Sequence, residues 1–333
     1  MTKRILITGA AGFVFSNVSR YILAHRDWRI VTLDRLDEAG TLARLSAMRH
    51  ANPDRLACVW HDLRAAINPL HFDLLAQPFD YIVHGAACSH VNRATLDPVS
   101  AIYDNVIGTA HLLDYVRRYQ SQAKTLVVST DEVFGPAAED EEFHEHSRHE
   151  PANPYSAAKS GGETLCPAYA HQYGLNIVVT RCCNVFGPNQ YMEKFIPLCT
   201  HQILNGETVQ IHARDGVVSS RLYIHVDDVA EATLTVLEKG GVIHDPSSGR
   251  YNIRAQREWS NLEVAQRIAD MLGITLRYEL VENPPGRPKP DMRYAISDAK
   301  LRALGWAPRV SLEDGLAEVV AEIVAERGRR AVA

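Results

Sequence analysis

Two short stretches carry residue types that can run acid–base chemistry together. VVSTDEVFG, residues 127–135, sets Thr130, Asp131 and Glu132 side by side directly after an apolar run, and PYSAAK, residues 154–159, sets Tyr155 and Lys159 four positions apart. That spacing puts the phenol and the ammonium on one face of a helix. A lysine beside a phenol favours the phenolate and draws a tyrosine pKa down from about 10, which makes a base for an alcohol proton. Adjacent carboxyls can serve one as acid and one as base when their environments differ. Taken singly, YxxxK recurs in many helices and Asp-Glu suits an exposed turn. The reading rests on their combination with the elements that would position them.

Those elements are legible. KRILIT, RIVTLD, LACVW, FDYIVH, KTLVVS and NIVVTR read as strands with continuous apolar faces, as in a parallel sheet covered on both sides. Helical stretches near 16–25, 40–49, 98–118 and 154–173 lie between them, so the expected fold class is α/β, a doubly wound parallel sheet of the Rossmann type. The strand end that carries Thr130, Asp131 and Glu132 is then the sheet edge where such folds place chemistry. After about residue 188 the pattern changes to helices near 193–204, 227–238, 260–272 and 311–326, with short strands and the loop NPPGRPKPD. The expected division is a nucleotide-binding domain over 1–187, with 222–255 returning to it through YNI (251–253), and a smaller substrate-binding domain from 188–221 and 256–330. AAEDEEFHEHSRHE reads as a solvated loop, and no metal is expected.

ITGAAGFVFSN, residues 7–17, follows the first strand and opens the first helix. Gly9 and Gly12 stand where a tight turn and close backbone approach to a pyrophosphate are needed, at a helix N-terminus whose N–H groups and dipole favour anions. Asp34 ends the second strand about 20 residues on, placed to accept from a ribose diol, which selects NAD over NADP. Asp62, after LACVW, is placed to meet the adenine edge. Phe15 occupies the place of a third glycine; overpacking there costs roughly 1–3 kcal/mol, and a helix shift or an outward rotamer is expected to absorb the ring. With this loop in place, the pair Tyr155 and Lys159 reads as the base of a short-chain dehydrogenase.

Composition sets outer bounds. With 333 residues and 46% hydrophobic character the chain can bury a sizeable core, and a net charge of −5 without basic runs argues against a nucleic-acid partner. No stretch approaches the roughly 18 apolar residues of a membrane span, so no membrane partner and a cytoplasmic location are expected. Cys58, Cys88, Cys166, Cys182, Cys183 and Cys199 lack CxxC spacing and read as free thiols.

The chain resembles the extended short-chain dehydrogenases that act on nucleotide sugars, and within them most the dTDP-glucose 4,6-dehydratases. The likeness runs almost end to end through ITGAAGF, LDRLDEAG, HGAACSHVNR, NVIGT, STDEVFG, NPYSAAK, TRCCNVFGPNQYMEKFIP, RLYIHVDDV and PDMRYAISDAKLRALGW. STDEVFG is the most diagnostic, because epimerases and decarboxylases of this superfamily carry other residues at Asp131 and Glu132. The resemblance implies NAD held by Gly9, Gly12, Phe13, Val14, Asp34, Asp62, Leu63, Ala86, Tyr155 and Lys159. It implies a sugar nucleotide held by His90, Asn184, Lys194, His212, Arg221 and Arg293, with Arg287 in the same tail. Tyr155, assisted by Lys159 and Thr130, would take the C4 hydroxyl proton, Glu132 the C5 proton, and Asp131 would protonate the departing C6 hydroxyl. Helices near 98–118 and 154–173 resemble a four-helix dimer interface, which implies a homodimer. Phe134, Phe186, Cys88, Asn92, Leu222, His225 and Arg254-Ala255 depart from the dehydratase pattern, mostly on the substrate side, so nucleotide and hexose stay open. A 4-epimerase or decarboxylase, or an NAD-binding sensor without catalysis, are the competing readings.

Overall fold

The computed structural model describes residues 2–37, 40–245, 247–282 and 291–332. Seven parallel strands form the central sheet: β1 (Arg4–Thr8), β2 (Arg29–Asp34), β3 (Leu56–Trp60), β4 (Tyr81–His84), β5 (Lys124–Thr130), β6 (Ile177–Cys182) and, from much later in the chain, β11 (Arg250–Ile253). Their order is β11-β6-β5-β4-β1-β2-β3. The central strands are covered on both faces; all six residues of β6 and all four of β4 are buried, each large aliphatic contributing roughly 1.5–3 kcal/mol by leaving water. The connections hold α1 (Phe13–His25), α2 (Leu42–Ala51), the short α3 (Asp73–Ala76), α4 (Val91–Leu96), α5 (Pro98–Ile102), α6 (Gly108–Tyr119) and α7 (Pro154–Tyr173).

Two of these helices bear directly on the site. The stretch expected as one helix over 98–118 is α5 and α6 joined by a π-helical turn, Tyr103–Ile107, which turns Asn105 inward to exchange hydrogen bonds with the backbone of Cys88 at 2.8 and 3.0 Å. Helix α7 spans the residues its sequence predicts. Asn153 and Ser156 form a reciprocal cap, Pro154 takes the first position where its missing N–H costs nothing, and Gly174 ends the helix in the left-handed region at φ 66°.

After β6 come β7 (Asn184–Phe186), α8 (Phe195–Leu204), β8 (Val209–Arg214), β9 (Val217–Val218), β10 (Ser220–His225), α9 (Val226–Lys239), β12 (Glu258–Ser260), α10 (Asn261–Leu272), β13 (Tyr278–Val281), α11 (Ala299–Arg302) and α12 (Leu312–Val332). They build two small sheets, β12-β10-β7 and β13-β8-β9. Helices α8, α10 and α12 share a separate apolar core with Ile196, Ile268 and Leu316. Helix α9 instead packs with α1 against the main sheet, and Ile296, Leu301 and Trp306, expected in the smaller part, join that same core.

The acidic stretch expected as a solvated loop is partly built in. Glu145 is buried and accepts from the Asn252 N–H, Phe143 bridges to Ile296, and Arg181 on β6 reaches both the Glu145 carbonyl and His149. The other carboxylates face solvent, but a buried arginine gives the loop an anchor that its composition does not reveal.

Candidate active site

A cavity of about 640 Å³ runs along the carboxyl edge of the main sheet and on between β10 and α8. Gly9 lies at one end with φ +73°; a Cβ there would come within 2.7 Å of the Ala86 backbone, and one on Gly12 within 3.2 Å of the Gly9 carbonyl. Gly12 opens α1 and no side chain caps it, which leaves the first-turn N–H groups of Phe13 and Val14 to an anion. Phe13, Val14, Leu63 and Ala86 line the same wall. Asp34 is fixed by the N–H groups of Ala11 and Leu36, one on each carboxylate oxygen at 2.9 and 2.8 Å. Burial pushes its carboxyl above the usual range. Beside it the Arg35 guanidinium is taken up by Asp37 and Asp104, so it is not offered to a 2′-phosphate. Asp62 lines this end and accepts from the Arg64 N–H. The cradle therefore fits a dinucleotide with an unphosphorylated ribose.

Phe15 is not turned outward. Its ring is buried, and a Cβ on Gly85 would meet it at 2.1 Å. The residue opposite, a glycine, leaves the room for the ring.

At the centre, β5 delivers Thr130 and runs into a single tight turn, Asp131–Phe134. Thr130 Oγ1 donates to Asp131 Oδ1 at 3.2 Å and accepts from the Glu132 N–H. Burial, and then the neighbouring Glu132, push the Asp131 carboxyl up to about 7, which suits a neutral acid near physiological pH. Tyr155 lies in the first turn of α7 and Lys159 one turn on, both lining the cavity. The expected lowering of the phenol does not come from the protein's own groups. Burial and Glu132 raise Tyr155, the Thr130 hydroxyl draws it only partly down, and Lys159 Nζ donates to the Val128 carbonyl at 2.5 Å. Desolvation brings the Lys159 ammonium down to about 8.

Towards β10 and α8 the cavity is lined by His90, Asn184, Lys194, His212 and Arg221. His90 caps α4 and pairs with Glu193 at 2.9 Å, and Lys194 Nζ reaches the Ser89 carbonyl. Arg221 is held by the carbonyls of Ser220, Asp291 and Met292 and stacks on Tyr294 at 5.2 Å. Arg293 does not join them: its guanidinium forks onto Glu258 and the carbonyls of Ala138 and Glu141, and it is absent from the cavity wall. Arg287 lies outside the described residues. Two contacts on Glu132 escaped sequence reasoning. Asn153 Nδ2 donates to Glu132 Oε2 at 3.1 Å, and Tyr294, tied to Asp291 at 2.5 Å, stands 3.5 Å from the same oxygen. In the sequence Asn153 stands out only as part of NPYSAAK. Among the described residues no group of three or more His, Cys, Asp or Glu is placed to hold a metal.

A phosphate loop after β1, an acid ending β2 and a Tyr–Lys pair facing a strand-end threonine define an extended short-chain dehydrogenase of the NAD-dependent epimerase and dehydratase kind. The family model described as GDP-mannose 4,6 dehydratase matches residues 6–319, and the chain belongs to that family. It is 39% identical over 321 residues to an Arabidopsis thaliana protein named trifunctional UDP-glucose 4,6-dehydratase/UDP-4-keto-6-deoxy-D-glucose 3,5-epimerase/UDP-4-keto-L-rhamnose-reductase, covering 94% of this chain and 46% of the relative. The chain thus spans about half the length of that relative. The dTDP-glucose 4,6-dehydratase of Shigella flexneri is 33% identical, with 95% of this chain and 91% of that one covered. Among solved structures, the dTDP-glucose 4,6-dehydratase of Streptomyces venezuelae with NAD and dTDP bound superposes with a TM-score of 0.86 at 35% identity over 98% of both chains.

Proposed function

We propose that this chain is an NAD-dependent nucleotide-sugar 4,6-dehydratase that converts an NDP-glucose, dTDP-glucose or UDP-glucose being the first candidates, to the NDP-4-keto-6-deoxyhexose and water. The observation that carries the reading is the carboxyl pair beside the phenol: Asp131, with its pKa near 7, and Glu132 share one turn against Tyr155. An epimerase needs only the phenol, whereas loss of water needs an acid and a base as well.

NAD, when bound, accepts the C4 hydride and returns it at C6. Gly9, Gly12, Phe13, Val14 and Ala86 would hold its diphosphate end, Asp34 its ribose, and Asp62 and Leu63 the adenine side. Tyr155 takes the C4 hydroxyl proton; the positive charge that NAD would bring to the site would offset the burial that otherwise keeps the phenol protonated. Once C4 is a ketone its neighbour C5–H is acidic, and Glu132 removes that proton, giving it back to C5 after water has left. Asp131 gives its proton to the C6 oxygen as the C6–O bond breaks, and water leaves. His90, Asn184, Lys194, His212 and Arg221 hold the sugar nucleotide, the two cations answering its diphosphate. The division of labour we propose gives the dinucleotide to 1–187 with 222–255 and the sugar nucleotide to 188–221 and 256–330.

A homodimer fits the exposed apolar side chains of Val99, Ile102 and Tyr103 at the start of the α5–α6 helix, and a cytoplasmic setting fits six unpaired cysteines. The test is Glu132→Gln, which leaves C4 oxidation in place and blocks loss of water; an undiminished yield of dehydrated product overturns the assigned base.

A further inference from the structure

Asn153 is, at first sight, a helix cap. Its Oδ1 accepts the Ser156 N–H at 2.9 Å, and Ser156 Oγ returns a bond from the Asn153 N–H at 3.3 Å. An N–H can only donate, so this cap fixes which end of the amide faces where. The NH₂ end is left pointing at the turn after β5, where it donates to Glu132 Oε2 at 3.1 Å. One side chain therefore joins the turn carrying Glu132 to the first turn of α7, with Pro154 at its first position and Tyr155 at its second, beside the contact of the Thr130 hydroxyl with Tyr155. Both ends are stiff. The proline fixes its own backbone and restrains the residue before it, and Glu132 follows a buried strand without a flexible linker.

We propose that Asn153 is a positioning residue for the elimination step, registering the Glu132 carboxylate to the phenol of Tyr155. The sugar must present its C4 hydroxyl to Tyr155 and its C5 hydrogen to Glu132 in one bound pose. C4 and C5 are neighbouring atoms, so an error in the separation of the two side chains cannot be absorbed by sliding the ring. An amide that caps one element and grips the other sets that separation before substrate arrives. Tyr294, 3.5 Å from the same Oε2 and anchored to Asp291, limits swing on the far side.

This inference rests on the dehydratase reading, and variants separate the two. Asn153→Ser keeps a good helix cap, since Ser ranks with Asn at this position, but carries no amide to reach Glu132. Asn153→Asp also caps, and places a second carboxylate against Glu132. The full-length protein loaded with NAD is assayed with dTDP-glucose and UDP-glucose for kcat, KM, the single-turnover rate of C4 oxidation read by nicotinamide absorbance, and thermal midpoint. We expect Asn153→Ser to lose about 10- to 100-fold in kcat for dehydration, the size of one hydrogen bond to a charged group. KM, the C4 oxidation rate and the thermal midpoint stay close to wild type, and Asn153→Asp falls below Asn153→Ser despite its equal cap. A kcat of Asn153→Ser within twofold of wild type, an equal loss in C4 oxidation and dehydration, or equal behaviour of the two variants overturns the proposal and leaves Asn153 as a cap. If the wild-type chain oxidises C4 and never expels water, it is the dehydratase reading that fails.

Discussion

The ring of Phe15, in the first turn of α1, lies over the Cα of Gly85, the residue that follows β4; a methyl built on Gly85 would come within 2.1 Å of two ring carbons. The glycine absent from the helix is matched by one on the loop opposite. The ring joins the core shared by β1 and α1, while Gly9 and Gly12 line the open cavity. Gly85→Ala should therefore lose roughly 1–3 kcal/mol by overpacking and Phe15→Ala roughly 3–5 kcal/mol by leaving a cavity. The double variant should lose less than the sum, because each change relieves the other. Urea unfolding of the four proteins measures the coupling; strict additivity would show that the two positions are independent.

Asp131 gives the site a pH signature. With its carboxyl raised from 3.8 to about 7, the acid loses its proton as pH rises through that value, and dehydration should slow above about pH 7 while C4 oxidation does not. The same shift bears on stability. A group whose folded pKa exceeds its unfolded one contributes stability fully present below the unfolded value and lost as pH rises through the folded one, here between about 4 and about 7. Asp131→Asn should remove that loss, up to about 4 kcal/mol. Parallel unfolding curves of wild type and variant across this range test it, and an equal pH dependence of both contradicts the raised pKa.

A strap ties the turn between β1 and α1 to the segment after β7. Arg44 on α2 bonds the carbonyls of Ala11 and Asn189 at 3.1 and 2.9 Å, Asn17 on α1 bonds the Pro188 carbonyl at 3.1 Å, and Glu322 on α12 takes the Asn189 N–H at 2.8 Å. Dehydration has no net redox change, so an enzyme that released reduced cofactor in mid-cycle would be stranded. Arg44→Ala should speed NAD loss roughly tenfold, the worth of about one charged hydrogen bond. Cofactor retained after gel filtration and its exchange with labelled NAD provide the reading, and unchanged exchange would remove the strap's role.

Behind Lys159, Glu163 and Arg181 form a buried ion pair with contacts of 2.5 to 3.1 Å. The guanidinium holds the Glu163 carboxyl below its ordinary range against the opposing effect of burial, so the pair's contribution is present above the unfolded pKa and lost as pH falls through the folded one. Glu163→Gln leaves an uncompensated guanidinium and should cost about 3–5 kcal/mol. A urea midpoint equal to wild type would contradict this.

Much of this is legible in the amino-acid sequence. The range 154–173 of α7 follows from its helical pattern, whose ends the structure caps with Asn153 and Gly174, and the strands declared themselves by continuous apolar runs. The cavity residues on strand ends and their loops follow from topology, since every strand of the main sheet delivers its carboxyl edge to one line. What stayed hidden depends on partners distant in sequence. Phe15 needs Gly85, Glu145 and His149 need Arg181, and the second duty of Asn153 needs Glu132. Arg293 carries the charge expected of a phosphate ligand, but Glu258 on a neighbouring strand claims it. The raised state of Tyr155 in the protein alone is hidden for a related reason: spacing shows that Lys159 is on the same face, not that burial and two carboxyls act on the phenol.

The most direct test is the mass of the product. Purified protein with NAD, incubated with dTDP-glucose and with UDP-glucose, should convert at least one of them to a sugar nucleotide lighter by one water that carries a ketone at C4 and a methyl at C6. A product of unchanged mass with inverted C4 configuration would make the chain an epimerase and contradict the roles given to Asp131 and Glu132.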